Sequence, residues 1–530
     1  MPLHSTTLGD LLRRAGEAYG DRPAILLHGA QYSFSELARR ADEKARLLAG
    51  AGLNPGERIA VWFPNGVEFI EWSFGAAMCG LVVVPLNTRL KQADAAHALE
   101  KSGARALFFT QDFIGIDFFA LTGEILGAHD LPALKIVVNV GGRSSARISN
   151  FADWSASVVP ATQLPEIATD SVAFINFTSG TTSRPKGAMI RHKTLMHVAR
   201  EVGKRMQFSE RDVVASAMPF YHNGGFVPTL LTGLMFGAAL YTQARFDPDD
   251  LLDAVTRLKG TIISGAGTMF TMMLDSPRMP FTDFSQVRAV RITGPADMRR
   301  AVKAGFGKPM IYSLYGMTET TAAVTLTCPD DDVDEQMNTN GKPLPGCDIR
   351  IEGANGESLG PEQRGEILIG GDPCLMGGYF GDQNATRDVL QNGWLRSGDI
   401  GYIDRKGNLI LIGRIKDMYR TGSENVACAE VEEFLREHPA VLHAAVFGVP
   451  DPRLEEVGFA FIELRDGMNA TEQELQQHCR RNLANFKTPR YIRFRKNLPL
   501  TVTGRVEKRN IIPDALKEIG AVSEATGPRN

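Results

Sequence analysis

The sequence predicts a layered α/β fold built on parallel sheets. Two observations carry this prediction. Short apolar strands alternate with helical stretches over the first hundred residues, and helix and strand alternate again, in a smaller unit, beyond residue 430. Such alternation is typical of parallel sheets covered by helices. The length of 530 residues is sufficient for about three or four domain-sized units.

Each predicted element follows from a local pattern. Apolar residues spaced along one helix face predict a helix over 7–19, and a capping box formed by Ser33 and Glu36 opens a second helix. Apolar runs predict strands at 58–63, 82–86, 106–109, 172–177, 261–264, 287–292, 311–314, 348–352, 365–370, 444–447 and 458–463. Further helices are predicted at 67–79, 193–204, 431–436 and 472–483, an irregular surface connection at 141–165, and a disordered tail at 521–530.

The charge balance excludes several classes of protein. There are 58 basic and 61 acidic residues, which gives a net charge of −3. Such a chain is not expected to bind nucleic acid or an anionic membrane surface. The N-terminus lacks the basic and apolar regions of a signal peptide. Residues 213–244 carry no charged side chain, but Pro219, Pro228 and the Gly224-Gly225 pair interrupt them, so we expect a buried helix and no transmembrane segment.

The six cysteines are scattered along the chain without a C-x-x-C pair. They are Cys79, Cys328, Cys347, Cys374, Cys428 and Cys479. This spacing does not favour a zinc site. It predicts reduced thiols and a cytoplasmic protein.

A glycine- and hydroxyl-rich loop follows the strand predicted at 172–177. It reads T-S-G-T-T-S-R-P-K-G over residues 178–187. Small residues let backbone N–H groups converge on an anion, hydroxyl groups add donors, and Lys186 adds a mobile positive charge. The loop is not a Walker A motif, because Pro185 and Gly187 stand where Gly and Ser or Thr are required. From its residues alone it could be a phosphate site or a solvated turn.

Three later stretches form further short motifs. The strand predicted at 311–314 ends in Y-G-M-T-E over residues 315–319. Read alone, this stretch is a strand-end turn followed by a capped helix. Residues 393–399 read G-W-L-R-S-G-D, whose final carboxylate can accept hydrogen bonds from two hydroxyl groups, and residues 413–417 read G-R-I-K-D. Taken singly, these stretches could also be strand-end turns.

In this order, the motifs resemble the signatures of the adenylate-forming superfamily, which includes acyl-CoA synthetases, luciferases and the adenylation domains of peptide synthetases. Ser183 replaces the usual glycine of the first motif. The resemblance implies that ATP is bound by Thr178, Ser179, Gly180, Thr181, Thr182, Lys186, Gly294, Pro295, Ala296, Tyr315, Gly316, Thr318, Asp399 and Arg414. It places Gly422 in the loop that binds the pantetheine of coenzyme A. It implies catalytic roles for Lys186, Thr318, Glu319 and Arg505, with Mg²⁺ at Glu319.

The resemblance also implies an acid-binding pocket. Its residues would be His222, Asn223, Gly224, Gly267, Gly316 and Met317. Members that activate amino acids place an Asp in this neighbourhood to hold the substrate ammonium, and residues 218–244 contain none. A buried charged tail would need such a partner. We therefore expect a carboxylic acid with a largely neutral tail, and a medium-chain aliphatic acid and an aromatic acid both fit.

The implied architecture is a large N-terminal domain, residues 1–413, and a small mobile α+β domain, residues 414–530, with Lys416 as the hinge. Several departures from the family pattern fall in the small domain. Arg505 stands where the family has a lysine that serves adenylation, and Lys508 is an alternative cation. Ser423 and Cys428 replace residues of the tunnel for the pantetheine of coenzyme A.

The implied enzyme is an AMP-forming acid–thiol ligase. It would join a carboxylic acid to AMP with release of pyrophosphate, and then transfer the acyl group to coenzyme A. Two alternatives remain open, namely an enzyme that loads a carrier protein and a catalytically impaired binding protein of the same fold. The expected ligands are ATP, Mg²⁺, coenzyme A and the acid, and a homodimer is allowed.

Overall fold

The computed structural model describes residues 2–178, 185–421, 424–451, 454–483, 485–500 and 506–525. Within them, the predicted α/β architecture is confirmed. Two large, mainly parallel sheets are followed by an antiparallel sheet and by a small sheet near the C-terminus. The boundary proposed at residues 413 and 414 stays a prediction.

The first large sheet carries the edge from which the glycine- and hydroxyl-rich loop departs. Its strands pair in parallel except for the last hairpin, in which Val172–Phe177 pairs antiparallel with Gly187–Arg191. In spatial order the seven strands are Gly187–Arg191, Val172–Phe177, Val82–Pro85, Arg58–Trp62, Ala106–Phe109, Ile136–Asn139 and Ser149–Asn150. A separate small hairpin joins Asp112–Phe113 and Ile116–Asp117.

The second large sheet has a parallel centre and antiparallel ends. Its nine strands are Lys342–Pro343, Thr325–Leu326, Met310–Tyr315, Ala289–Thr293, Ile262–Ala266, Val213–Ala215, Ala239–Tyr241, Pro23–Leu27 and Ala30–Ser33. The three strands predicted at 261–264, 287–292 and 311–314 are neighbours within this sheet. Because they are parallel, their carboxyl ends share one edge.

The two remaining sheets are smaller. The antiparallel sheet contains Asp348–Glu352, Gly365–Gly370, Leu390–Gln391, Trp394–Ile403 and Leu409–Arg414. The sheet near the C-terminus contains Met418–Thr421, Glu424–Ala427, Val441–Asp451, Glu455–Leu464 and Tyr491–Phe494.

Helices cover the sheets, and several begin at side-chain caps. Thr7 accepts the Asp10 N–H at the start of the first helix, and Ser33 accepts the Glu36 N–H at the start of the second. The α-helices are Leu8–Tyr19, Phe34–Gly50, Val67–Met78, Gln92–Ser102, Phe118–Ala128, Phe151–Ser157, His192–Arg205, Asn223–Gly225, Thr232–Phe236, Pro248–Leu258, Gly267–Leu274, Ala296–Gly305, Val333–Asn338, Gln383–Val389, Cys428–Arg436, Glu472–Asn482 and Ile512–Ala525. A π-helical segment, Phe226–Leu231, joins two of them.

The largest apolar cluster lies between the two large sheets. It includes residues from both sheets and from the helices Val67–Met78 and His192–Arg205. Trp72 stacks on Phe108 of the first sheet at 3.9 Å between ring centroids. Burial of this apolar surface is the main term that stabilises the layered arrangement. The charge-free stretch 213–244 contains two strands of the second sheet and, between them, short helical segments. None of the described helices combines the length and the apolar content that crossing a bilayer requires.

Three sequence expectations need correction. The connection at 141–165 contains the helix Phe151–Ser157, whose Phe151 and Trp154 pack against Trp72. The helix Ile512–Ala525 continues into the stretch predicted to be a disordered tail. Cys347 and Cys374 form a disulfide, whereas the other four cysteines are free. The prediction of six reduced thiols is therefore wrong at two positions, because residues far apart in sequence are brought together by tertiary structure.

The disulfide gives a direct prediction. Under denaturing conditions without reductant, titration with an aromatic disulfide reagent should find the four free thiols, and reduction should add the two of Cys347 and Cys374. Since the bond closes a loop with a sequence separation of 27, its loss should lower the free energy of unfolding by about 3–4 kcal/mol. Six thiols without reductant, or an unchanged Tm for the Cys347→Ser/Cys374→Ser variant, would contradict the prediction.

Candidate active site

Three strands of the second large sheet deliver predicted site residues to the same edge. Ala266 lies opposite Thr293, and Ile292 lies opposite Ser313, so the three strands end side by side. Gly267 and Gly294 follow directly, and a Cβ atom built on Gly267 would lie 3.7 Å from the Gly294 Cα atom. The carboxyl ends of parallel strands are the usual ligand edge of α/β sheets.

The turn after strand Met310–Tyr315 is conformationally restricted. The segment Thr318–Thr320 is a 3₁₀ helix, and the residues after it, Thr321 and Ala322, have φ values of 59° and 85°. Positive φ values are unfavourable for such residues and are often retained at functional sites. A Cβ atom on Gly316 would lie 2.3 Å from the Ala322 carbonyl oxygen. Close backbone packing therefore requires glycine here, independently of any space for an acyl group.

The Glu319 carboxylate lies beside a second residue that the motif analysis missed. Tyr379 donates a hydrogen bond from its hydroxyl group to Glu319 Oε1 at 2.7 Å, and both residues are buried. Burial and the neighbouring carboxylate raise the pKa of Tyr379 well above its usual value. On the other side, the Lys186 ammonium lies 5.2 Å from the centre of the Tyr379 ring. Tyr379 thus joins the end of the loop to the Y-G-M-T-E turn.

Backbone pairing holds these groups together. Residues 376–380 run beside the strand Gly187–Arg191, where Met189 N–H donates to Gly378 O at 2.9 Å and Phe380 N–H donates to Gly187 O at 2.8 Å. At the base of the loop, Thr178 N–H donates to Lys186 O at 2.9 Å. The positions of Thr178 and Lys186 are therefore set by the sheet edge.

A second cluster surrounds Asp399, which is 4% exposed. Its carboxylate accepts hydrogen bonds from Tyr315 Oη at 2.7 Å and from Arg414 Nε at 3.0 Å. Burial, and then the negative charge of Asp399, raise the pKa of Tyr315 well above its ordinary value. Asp399 lies inside the strand Trp394–Ile403, so it is not part of an isolated turn. Three residues that the motifs assigned to nucleoside binding are thus in direct contact.

The short turn at His222 lies next to the Y-G-M-T-E turn. Asn223 is buried and donates from Nδ2 to Thr318 O at 3.3 Å. His222 Nδ1 accepts the Gly224 N–H at 3.1 Å, so this ring nitrogen carries no proton and Nε2 is the donor of the neutral ring. Met317 N–H donates to Thr320 Oγ1 at 2.9 Å. Asn223 therefore links the turn at residues 222–224 to the turn that contains Met317 and Thr318. The role of these residues in an acid pocket stays a prediction.

The turn Gly294-Pro295-Ala296 has two contacts that the sequence did not indicate. The buried Arg299 donates to Gly294 O at 3.0 Å and to the carbonyl oxygens of Met337 and Thr339. Ala296 N–H donates to Glu433 Oε1 of the helix Cys428–Arg436 at 3.3 Å. A part of the chain assigned to the small domain therefore touches the turn that the resemblance assigns to adenine.

Several predicted residues cannot be placed. Ser179, Gly180, Thr181, Thr182, Gly422 and Arg505 lie outside the described residues. Lys416 lies in the 3₁₀ segment Ile415–Asp417, and only its backbone is described. Lys508, the alternative cation, forms an ion pair with Glu432 at 2.8 Å. Burial opposes the charge of Lys508, but its negative neighbours, with Glu432 first among them, together raise its pKa.

The site contains a carboxylate that could serve as a ligand of Mg²⁺. The Glu319 side chain is buried, and one oxygen of its carboxylate accepts a hydrogen bond from the Tyr379 hydroxyl group. Mg²⁺ is usually bound by one or two carboxylates together with water and substrate phosphate oxygens. Among the described residues, the group of potential metal ligands formed by Cys328, Asp330 and Asp331 lies elsewhere, and the sulfur atoms of Cys347 and Cys374 near His197 are joined in the disulfide. A single carboxylate that shares Tyr379 with Lys186 therefore fits Mg²⁺ that arrives with a nucleotide.

Comparison with known proteins gives matches along nearly the whole chain. The family model described as AMP-binding enzyme matches residues 12–380, and the model described as AMP-binding enzyme C-terminal domain matches residues 430–505.

Individual relatives are similar over almost their full length. A 3-[(3aS,4S,7aS)-7a-methyl-1,5-dioxo-octahydro-1H-inden-4-yl]propanoyl:CoA ligase from Rhodococcus jostii is 32% identical, with 97% of this chain and 99% of the relative covered. A feruloyl-CoA synthase from an Amycolatopsis species is 33% identical, with 92% and 95% covered. The crystal structure of an anthranilate CoA ligase in complex with anthranoyl-AMP superposes with a TM-score of 0.88 at 25% identity, with 98% and 99% covered.

The contacts of Asp399 generate a binding prediction. Asp399→Asn keeps the size of the side chain but removes the charge, and hydrogen bonds to a charged group contribute about 1.5–3 kcal/mol. AMP should therefore bind about 10- to 100-fold more weakly in calorimetric titrations. Tyr315→Phe, which removes one hydroxyl group and keeps the ring, is the matched control and should have a smaller effect. Equal AMP affinity for Asp399→Asn and the unmodified protein would exclude Asp399 from the nucleoside site.

Proposed function

The chain belongs to the family of AMP-binding enzymes, and we propose that it is an ATP-dependent acyl-CoA ligase of this family. The observation that carries the proposal is the arrangement of two clusters around one turn. Tyr315, Asp399 and Arg414 lie at the start of the turn, and Lys186, Tyr379 and Glu319 lie at its other end. One cluster suits a nucleoside and the other suits a polyphosphate with its metal ion.

The proposed reaction has two steps. In the first, a carboxylate oxygen of the acid attacks the α-phosphorus of ATP, the bond to the pyrophosphate oxygen breaks, and acyl-AMP and pyrophosphate form. In the second, the sulfur of coenzyme A attacks the acyl carbon, the bond to AMP breaks, and the thiol proton passes to solvent. Because the carboxylate is already a nucleophile, the first step needs positioning and charge stabilisation and no general base.

The roles of the site residues follow from their positions and remain proposals. Lys186 would stabilise the phosphate groups and the leaving pyrophosphate. Thr318 would donate to the α-phosphate, and Glu319 would hold Mg²⁺, which neutralises phosphate charge when it is bound. Asp399 would accept the ribose hydroxyl groups. Lys416 would be the hinge about which the small domain rotates between the two steps.

The acid is proposed to be a medium-chain aliphatic or an aromatic acid. The relatives act on different carbon skeletons: a bicyclic dioxo propanoate, ferulate and anthranilate stand in the names of three of them. The pocket segment around Asn223 and Gly224 supplies uncharged donors and acceptors, which is consistent with either skeleton. The cytoplasmic location and the homodimer stay predictions.

The experiment that tests the function is a screen of acids with two readouts. ATP–pyrophosphate exchange reports the first step, and coenzyme A-dependent release of AMP reports the second. We expect both with the same acid. Exchange without CoA-dependent release would favour transfer to a carrier protein. Absence of exchange with every acid would favour an impaired binding protein and would contradict the proposal.

The metal role of Glu319 gives one prediction. Glu319→Gln keeps the shape of the side chain and removes its charge, so the Mg²⁺ concentration for half-maximal exchange should rise about tenfold or more, since Mg²⁺ prefers a charged carboxylate oxygen. Tyr379→Phe is the matched control, because it removes only the hydrogen bond to Glu319 and keeps the ring beside Lys186. It should shift the titration less. An unchanged titration for Glu319→Gln would rule out this role.

The identity of the catalytic cation gives another prediction. Lys508 is already paired with Glu432, so we expect Arg505 to enter the site during adenylation. Arg505→Ala should lower the rate of acyl-AMP formation by about 10²–10³, as for loss of a preorganised donor. It should spare thioester formation from supplied acyl-AMP, and Arg505→Lys should restore the first step. Loss of adenylation in Lys508→Ala with normal adenylation in Arg505→Ala would assign the role to Lys508.

A further inference from the structure

Arg291 is a buried cation beside the predicted acid pocket. It lies in the strand Ala289–Thr293 and is 1% exposed. Its neighbours Val290 and Ile292 point into the apolar cluster on one face of the sheet. Because side chains alternate along a strand, Arg291 lies on the opposite face, towards the segment 224–229.

All hydrogen bonds of Arg291 go to neutral oxygen atoms. Its Nη2 atom donates to Gly224 O at 3.1 Å, to Thr229 Oγ1 at 2.9 Å and to Ser264 Oγ. Its Nε atom is buried and has no hydrogen-bond partner among the residues that the structure describes. Among the ion pairs of the described residues, none involves Arg291. Burial lowers the pKa of Arg291 to about 10, so the side chain still carries its charge at neutral pH.

Other arginines in this part of the molecule are satisfied within the protein. Arg299 is also buried, but it donates to three backbone carbonyl oxygens from Nε and Nη1. Arg288 forms an ion pair with Asp212, to which it donates from both Nε and Nη2. A buried cation without a counter-anion and with an unpartnered N–H is costly, since both the charge and the donor have lost water. The position of Arg291 therefore needs an explanation beyond packing.

The contacts place Arg291 at the acid end of the site. Gly224 O accepts from Arg291, and the preceding residue, Asn223, donates to Thr318 O. One short turn, at Asn223 and Gly224, thus separates Arg291 from Thr318, where the reacting carboxylate is proposed to lie. An acid whose carboxylate lies near Thr318 would direct its remaining atoms towards this turn and towards Arg291.

We propose that Arg291 determines the substrate class: the acid carries a second oxygen acceptor, a carbonyl or a carboxylate group, away from its reacting carboxylate, and this oxygen binds the Arg291 guanidinium group. This inference rests on the proposed ligase activity and deepens it. It also revises the expectation of a largely neutral tail. That expectation came from residues 218–244, which lack an acidic partner, whereas the relevant charge is on a later strand.

The first test uses the unmodified protein and acids of matched length. For a straight-chain acid, its oxo derivative and its dicarboxylic analogue, kcat/KM is measured by ATP–pyrophosphate exchange. We expect about a 10- to 100-fold preference for the oxo acid or the dicarboxylic acid, because the bond to a charged donor contributes about 1.5–3 kcal/mol. Comparison of the oxo acid with the dicarboxylic acid shows whether Arg291 binds a carbonyl or a carboxylate group. A preference for the plain acid would overturn the inference and leave the ligase activity intact, whereas absence of exchange with all acids would overturn both.

The second test separates specificity from structural support. Arg291→Met removes the charge at similar length, so the preference for the oxygen-bearing acid over the plain acid should fall about tenfold or more, and Arg291→Lys should restore part of it. Arg299→Met is the matched control, since it loosens the turn at Gly294 and should affect the KM for ATP with every acid alike. An equal loss of kcat/KM for all acids in Arg291→Met would show a purely structural role. If the Tm shows that Arg291→Met does not fold, the Arg291→Lys variant and the first test decide between a specificity role and a structural role for Arg291.

Discussion

The candidate site depends on the parallel pairing of three neighbouring strands. Because Ile262–Ala266, Ala289–Thr293 and Met310–Tyr315 run in the same direction, the segments that follow them meet at one edge of the sheet. Everything else is positioned relative to this edge. The first large sheet brings the loop and Lys186, and the antiparallel sheet brings Asp399. Asn223, Tyr379 and Asp399, from three separated parts of the chain, therefore contact one turn, although each belongs to a locally simple element.

Much of this arrangement could be predicted from the sequence, because strand and helix periods and contiguous motifs are local properties. The contact of Tyr315 with Asp399 follows from two motifs of this kind. Tyr379 and Arg291 were missed because their roles arise from long-range pairing, with the edge strand in one case and with neighbouring strands in the other. The Gly377-Gly378 pair before Tyr379 was a usable signal, since paired glycines often mark close backbone approach. The disulfide between Cys347 and Cys374 had no local signal at all.

The charges of the site are divided unevenly between the two ends of the turn. At the nucleoside end, the Asp399 carboxylate is compensated within the protein by Arg414. At the acid end, Arg291 faces only neutral oxygen atoms. Burying an ion pair costs little free energy before a ligand binds. An unpaired buried cation is stabilised most when a ligand supplies an acceptor. If the proposed assignments hold, the nucleoside end is preorganised by its own residues, and the acid end would be completed by the substrate.

The hydrogen bond from Ala296 N–H to Glu433 has a thermodynamic consequence. One N–H group donates well to one acceptor, so a ligand that takes this hydrogen bond excludes Glu433 from it. The two events are then linked: the ligand binds more tightly when the helix Cys428–Arg436 has moved away, and the helix moves away more readily when the ligand is bound. Such competition couples occupancy of the turn to the position of the C-terminal part of the chain by mass action, without any contact between the ligand and the segment Ile415–Asp417.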